Sequence, residues 1–137
     1  MSNKRFLYHV SLRWSDLDAY GHVNNARFLT LYEEARVAMM FVGARSAGLA
    51  TFEEGIVVSR HEVDYLRPVD YGDPVRIEMW IDELRPSRFT VCYELFDGEV
   101  LASRARSILV PFDLDKGRPR RLSDSEQEFL RPWISAS

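Results

Sequence analysis

Asp16-Leu-Asp-Ala-Tyr-Gly-His-Val-Asn-Asn25 gathers two carboxylates, one glycine, one histidine and two asparagines in ten residues. An apolar helical pattern follows at once through Phe28, Leu31, Tyr32, Ala35, Met39 and Val42. A polar loop therefore feeds the first turn of a helix with a wide apolar arc. Arg27, Thr30, Glu33, Glu34 and Arg36 are expected on the opposite, polar arc. Such a junction sets acid/base groups beside backbone N–H groups that have no partner within the helix. Chemistry on a carbonyl is easily built there. Asn24 or Asn25 is the expected cap, because a short amide oxygen can accept those N–H groups. The helix is expected to reach about Gly43, with Gly48 closing the linker behind it.

Working outward, the flanks read mainly as strand. Upstream, Phe6, Tyr8, Val10 and Leu12 alternate with Arg5, His9, Ser11 and Arg13. Downstream, Ile56 to Leu66 is β-rich and stops at Arg67-Pro68, and Asp70 to Pro74 is turn chemistry. Val75, Ile77, Met79 and Ile81 alternate with polar neighbours, and Arg85-Pro86-Ser87 turns the chain back. Phe89, Val91, Tyr93 and Leu95 alternate again, and Asp97-Gly98 is a hairpin signal. Val100 to Val110 is apolar on both faces, as an interior strand would be. Asp113 to Pro119 reads as a polar loop. A short helix at about 123–131 opens with Ser123 and Glu126 in capping-box spacing. One strand, a long helix, then four strands imply an α+β domain. The expected architecture is a five-stranded antiparallel sheet curled around one long central helix, a single domain over residues 1–137.

Composition narrows the function classes. A chain of 137 residues suits one core. Its net charge of −3 argues against a nucleic-acid surface. Of 18 basic residues only Lys4 and Lys116 are lysines, and arginine's planar fork suits a phosphorylated ligand. Cys92 is the single cysteine, so no intrachain disulfide can form. Met1 to Tyr8 lacks the apolar segment of a signal peptide, and no run approaches the roughly 20 residues of a membrane span. A cytoplasmic setting is the expectation. Asp16-x-Asp18-x-x-Gly21 opens like a calcium loop, but Tyr20 and Arg27 stand where that loop needs oxygen ligands. His9, His22 and His61 have no zinc-ligand spacing. No metal or cofactor is expected.

Asp16 to Asn25, followed by Phe28 and Tyr32-Glu-Glu-Ala-Arg36, resembles the hotdog-fold thioesterases of the 4-hydroxybenzoyl-CoA thioesterase type. Asp64-Tyr-Leu-Arg-Pro-Val-Asp-Tyr-Gly-Asp-Pro-Val75 is similar to that family's second signature, and Glu99 to Arg106 also fits. The resemblance implies a hotdog fold, assembly as a homodimer or homotetramer, and sites at the subunit interface. It implies hydrolysis of acyl thioesters of coenzyme A, or of acyl carrier protein. A non-catalytic module that binds acyl-CoA is the alternative. Asp18 matches the family's catalytic aspartate. The Asn25 backbone N–H matches the group that polarises the thioester oxygen. The His-Val-Asn-Asn run also resembles the plant acyl carrier protein thioesterases; Asp18, His22 and Glu34 match three of their four proposed residues, and Tyr20 stands where the fourth is asparagine.

The residue chemistry agrees with that reading. A carboxylate can attack a thioester carbonyl or take a proton from water. The thiolate leaves readily, so no strong general acid is needed. Asp18 and His22, with the Asn25 N–H, form the candidate catalytic set. Asp18 could equally serve as an Asx-turn residue. Asp16 is expected to bond loop N–H groups. Phe28, Tyr32, Val57, His61 and Tyr65 are candidate pocket liners, and Arg85 and Arg88 candidate phosphate holders. Cys92 is expected to pack rather than react.

Overall fold

Alternating apolar residues build the sheet in the computed structural model, which describes residues 4–135. Residues 1–3, where part of the signal-peptide reading falls, lie outside it. The strands are β1 (Phe6–Val10), β2 (Ile56–Tyr65), β3 (Val75–Arg85), β4 (Arg88–Asp97) and β5 (Val100–Asp113). They pair antiparallel in the order β1-β3-β4-β5-β2, so β1 and β2 are the two edges. The inward face of the three central strands is apolar or small. Ile77, Met79, Ile81, Phe89, Val91, Tyr93, Leu95 and Leu109 are all essentially inaccessible. Against them lie Phe28, Leu31, Tyr32, Ala35 and Met39 of the helix, one continuous core. Burying one such large side chain contributes about 1.5–3 kcal/mol, so the helix and sheet hold each other in place. This is the hotdog arrangement.

The helix differs from its expected form in three ways. After α1 (Asn25–Val37) it widens into a π-helical segment (Ala38–Gly43) and ends as α2 (Ala44–Ser46), past the glycine expected to stop it. Gly43 is helical, with φ −64°. Its bare Cα suits the wide turn, since a Cβ there would stand 3.2 Å from the Ala38 carbonyl oxygen. A π turn breaks the 3.6-residue period, and Val42, expected on the apolar arc, is 63% exposed. Arg36, expected on the polar arc, is only 7% exposed. It follows Tyr32 by one turn and so shares Tyr32's inward face. Gly48, at φ +84°, ends the element as expected, with the Leu49 N–H donating to the Ala44 carbonyl.

The polar stretch after β5 contains a strand that composition concealed. β6 (Arg118–Pro119) pairs back onto Phe112 and Asp113. α3 (Asp124–Leu130) starts with the expected capping box: Ser123 Oγ accepts from the Glu126 N–H at 3.1 Å, and the Glu126 carboxylate accepts from the Ser123 N–H at 2.8 Å. No helix of the described residues is long and apolar enough to cross a membrane.

Candidate active site

The loop between β1 and α1 is held from below by Asp16, which is 1% exposed. Its carboxylate accepts from the Arg13 backbone N–H at 2.8 Å and from the Arg13 guanidinium at 2.9 and 3.3 Å. Burial pushes the Asp16 carboxyl up, but Arg13 and then Arg27 outweigh it and hold it below the usual carboxylate range. Asp16 is thus committed to structure. Asp18 is not. Its Oδ1 accepts from the backbone N–H groups of Tyr20 (2.8 Å) and His22 (3.2 Å), an Asx-type turn. Its Oδ2 has no hydrogen-bond partner among the described residues. One oxygen fixes the loop and the other makes no such bond.

Asn24 is the cap: its Oδ1 accepts from the Ala26 N–H at 2.9 Å. Asn25 is therefore the first helical residue, and its N–H has no preceding turn to donate into. Asp18, His22, Asn25, Phe28, Tyr65 and Arg67 all line one cavity of about 210 Å³. Phe28 and Tyr65 form its apolar wall, their rings edge-on at 5.2 Å, and the Tyr65 hydroxyl donates to the Asn25 carbonyl at 3.0 Å. The His22 Nε2 lies 3.5 Å from Asp70 Oδ1, with both side chains largely in water. Arg67 was not singled out from sequence. The available signal was Pro68, which ends β2 and turns residues 66–68 over the helix start.

The other candidates lie elsewhere. Tyr32 is not a pocket liner: it is 1% exposed in the core, its hydroxyl donating to Ser103 Oγ at 2.6 Å. Val57 points to the other side of the sheet, because Ile56 and Val58 on the opposite pleat face the helix seam. His61 stands midway along β2, with Nδ1 2.7 Å from Ser107 Oγ. Partial burial and then the Arg36 charge hold its pKa below the ordinary value, against an opposing pull from Glu33. Arg85 and Arg88 sit on the β3–β4 hairpin, each beside Glu83. Along β5, Ser103 pairs with Tyr65 and Leu109 with Phe89, so that hairpin is roughly 20 Å from the Asp18 cavity in one chain. Next to it opens a second cleft, about 500 Å³, lined by Lys116, Arg118, Arg120 and Arg121. Among the described residues no three metal-ligating side chains converge.

Residues 12–133 match the profile of the thioesterase-like superfamily. The chain belongs to that superfamily. It is similar to an acyl-CoA thioester hydrolase of Escherichia coli, 28% identical over 127 residues covering 91% of this chain and 95% of the relative. A predicted thioesterase from Bacillus stearothermophilus superposes with a TM-score of 0.85 at 27% identity, covering 98% and 99% of the two chains. A Thermus thermophilus thioesterase, solved with coenzyme A and Zn, is 32% identical at a TM-score of 0.75, covering 91% of each chain. The enzyme is thus a thioester hydrolase by class.

Cys92 is 6% exposed on the outer face of the sheet. Burial, then the nearby Asp82 carboxylate, pushes its thiol up to about 11. The thiolate is the reactive form, so the native thiol should be inert at pH 8. A thiol dye should label Cys92 only after denaturant is added; rapid labelling of the native enzyme would contradict this burial.

Proposed function

We propose that this thioesterase hydrolyses acyl thioesters of coenzyme A, with the Asp18 carboxylate as base or nucleophile. The observation that carries the reading is one cavity lined both by Asp18, whose Oδ2 is unbonded among the described residues, and by the opening turn of α1. A thioester carbon seated between them would meet a carboxylate on one side. Its oxygen would meet the Asn25 N–H and the partial positive charge of the helix end. His22, at the rim, would orient the attacking water. The named activity of the Escherichia coli relative and the coenzyme A in the Thermus thermophilus structure support the same carrier. A cytoplasmic setting, where free coenzyme A thioesters would be met, goes with this reading.

We also propose that the active form is a homodimer, or a tetramer built from dimers. β2 is an edge strand of ten residues, and most of them are exposed. A bare edge of that length invites pairing with another strand. Two copies joined antiparallel along β2 about a two-fold axis would set the Asp18 end of one beside the hairpin end of the other. Arg85, Arg88 and the arginines of the adjoining cleft would then stand near the neighbouring copy's cavity, suited to the phosphates of coenzyme A.

Thiol release from a panel of acyl-CoAs and matched acyl carrier protein thioesters tests both the activity and the carrier. Turnover of acyl-CoA is expected. Faster turnover of the protein-borne thioesters would transfer the assignment to that carrier. Silence across both sets would overturn it.

A further inference from the structure

A second cavity of about 250 Å³ lies along the same seam between α1 and β2, beyond the Asp18 site. The two elements run antiparallel, so Tyr65 lies at the helix start while Ile56 and Val58 face Val37, Met40 and Phe41. The walls are apolar apart from Glu33 and Arg36. Arg36 is 7% exposed, and Nη1 donates to the Tyr93 hydroxyl at 3.0 Å. Tyr93 donates onward to Ser107 Oγ at 2.8 Å, which also meets His61 Nδ1 at 2.7 Å. The remaining N–H groups of Arg36 have no partner, and no carboxylate pairs with it, among the described residues.

A buried guanidinium cannot discard its proton, and a neutral phenol does not cancel its charge. Natural interiors pair such charges, so an arginine held this way stands ready for an anion from outside. The planar fork fits a carboxylate. Glu33 lines the same cavity but is exposed, and in water its field is weakened by solvent and salt. From Tyr65 to His61, beside which the guanidinium sits, is four strand residues, roughly 13 Å. An acyl chain of medium length, its thioester at Asn25, spans that distance.

Building on the thioesterase reading above, we propose that the seam between α1 and β2 is an acyl-binding channel in which Arg36 receives a terminal carboxylate, so that the preferred substrates are coenzyme A thioesters of dicarboxylic acids. Phe28 and Val63 flank the methylene chain, and Met40, Phe41, Ile56 and Val58 line the space beyond its carboxylate. Arg36 supplies specificity and lies too far along the seam to touch the reacting carbonyl.

The experiment compares kcat/KM for matched pairs, octanoyl- against suberyl-CoA and decanoyl- against sebacyl-CoA, in the native enzyme and in Arg36→Met. The native enzyme is expected to favour the carboxylate-tipped member. Arg36→Met should lower kcat/KM for that member about 10- to 100-fold relative to the plain acyl chain, the scale of one charge-assisted hydrogen bond, and so erase the preference. The native preference needs no variant, so a misfolded Arg36→Met would not spare the proposal. Hydrolysis of both members without preference, as would follow if Glu33 or a second copy's carboxylate neutralised Arg36, overturns the inference and leaves the thioesterase reading standing. If neither member is hydrolysed, the free acids decide: suberate raising the native Tm more than octanoate supports the anion site, and equal shifts overturn it.

Discussion

Asp18→Asn is expected to lower thiol release from the best acyl-CoA by about 100-fold or more, the usual scale for a positioned general base, while leaving Tm within about 1 °C of native. The two halves of that result come from the two oxygens of one side chain. Oδ1 accepts from the Tyr20 and His22 N–H groups, and an asparagine oxygen can do the same. Oδ2 has no partner among the described residues, and Asp18 lines the cavity, so an amide nitrogen at that position removes only the charge and the proton-accepting power. Asp18→Ala should match the rate loss but also cost roughly 1 kcal/mol, because the turn loses its acceptor. Steady-state kinetics beside thermal unfolding of the three proteins separates these effects. If Asp18→Asn hydrolysed at the native rate, the carboxylate would be a turn residue alone, and the chemistry would have to be sought elsewhere in the cavity.

Such a division of labour was half legible in the sequence. Loop, cap and helix start follow from short polar residues ahead of an apolar helical period, and the structure forms all three there. The strands are legible for the same reason: period-two alternation in β3 and β4 leaves one face to the helix, and the inward residues are those the alternation marks. What failed did so where a local rule met a tertiary one. Gly43 reads as a stop, yet the helix passes through it in a widened turn, which also carries Val42 out to solvent. Arg36 reads as surface because it is charged, though it sits one turn from Tyr32 on the buried arc. Its only visible signal was that spacing. Tyr32 shares the inward face of Phe28 but is taken up by the core, and Val57 lies on the opposite pleat from Ile56 and Val58, a choice that register decides and composition cannot. Arg85 and Arg88 carry the right chemistry for phosphate, but only topology shows that one chain keeps them at the far end of the sheet from Asp18.

Breaking the ion pair at the other end of the molecule should give the opposite phenotype. Glu126 is fully buried under α3, and its carboxylate takes both Arg120 nitrogens, at 2.8 and 3.0 Å, together with the Thr51 hydroxyl and the Ser123 N–H. These contacts tie α3, the β5–β6 hairpin and the Thr51 turn into one unit. Burial pushes the Glu126 carboxyl up; Arg120 first, then Ser123 and Thr51, outweigh it and hold it below its ordinary 4.5. A carboxyl depressed on folding stabilises above its unfolded pKa, and that contribution fades as pH falls through the folded value. Arg120→Ala strands this carboxylate with neutral donors only. The expected loss at pH 7 is about 3–5 kcal/mol, roughly 10–20 °C in Tm for a domain of this size. The slope should also reverse. With the cation gone, burial dominates and the carboxyl rises above its unfolded value, so the variant regains stability as pH drops toward 4.5, where the native protein begins to lose it. Below its transition temperature the variant should still release thiol at close to the native rate under saturating substrate, because Arg120 has no part in the Asp18 set and any loss of phosphate contact would fall on KM. Equal pH slopes for the two proteins in thermal melts from pH 4 to 8 would mean that Glu126 is neutral in the native fold and the pair is not ionic.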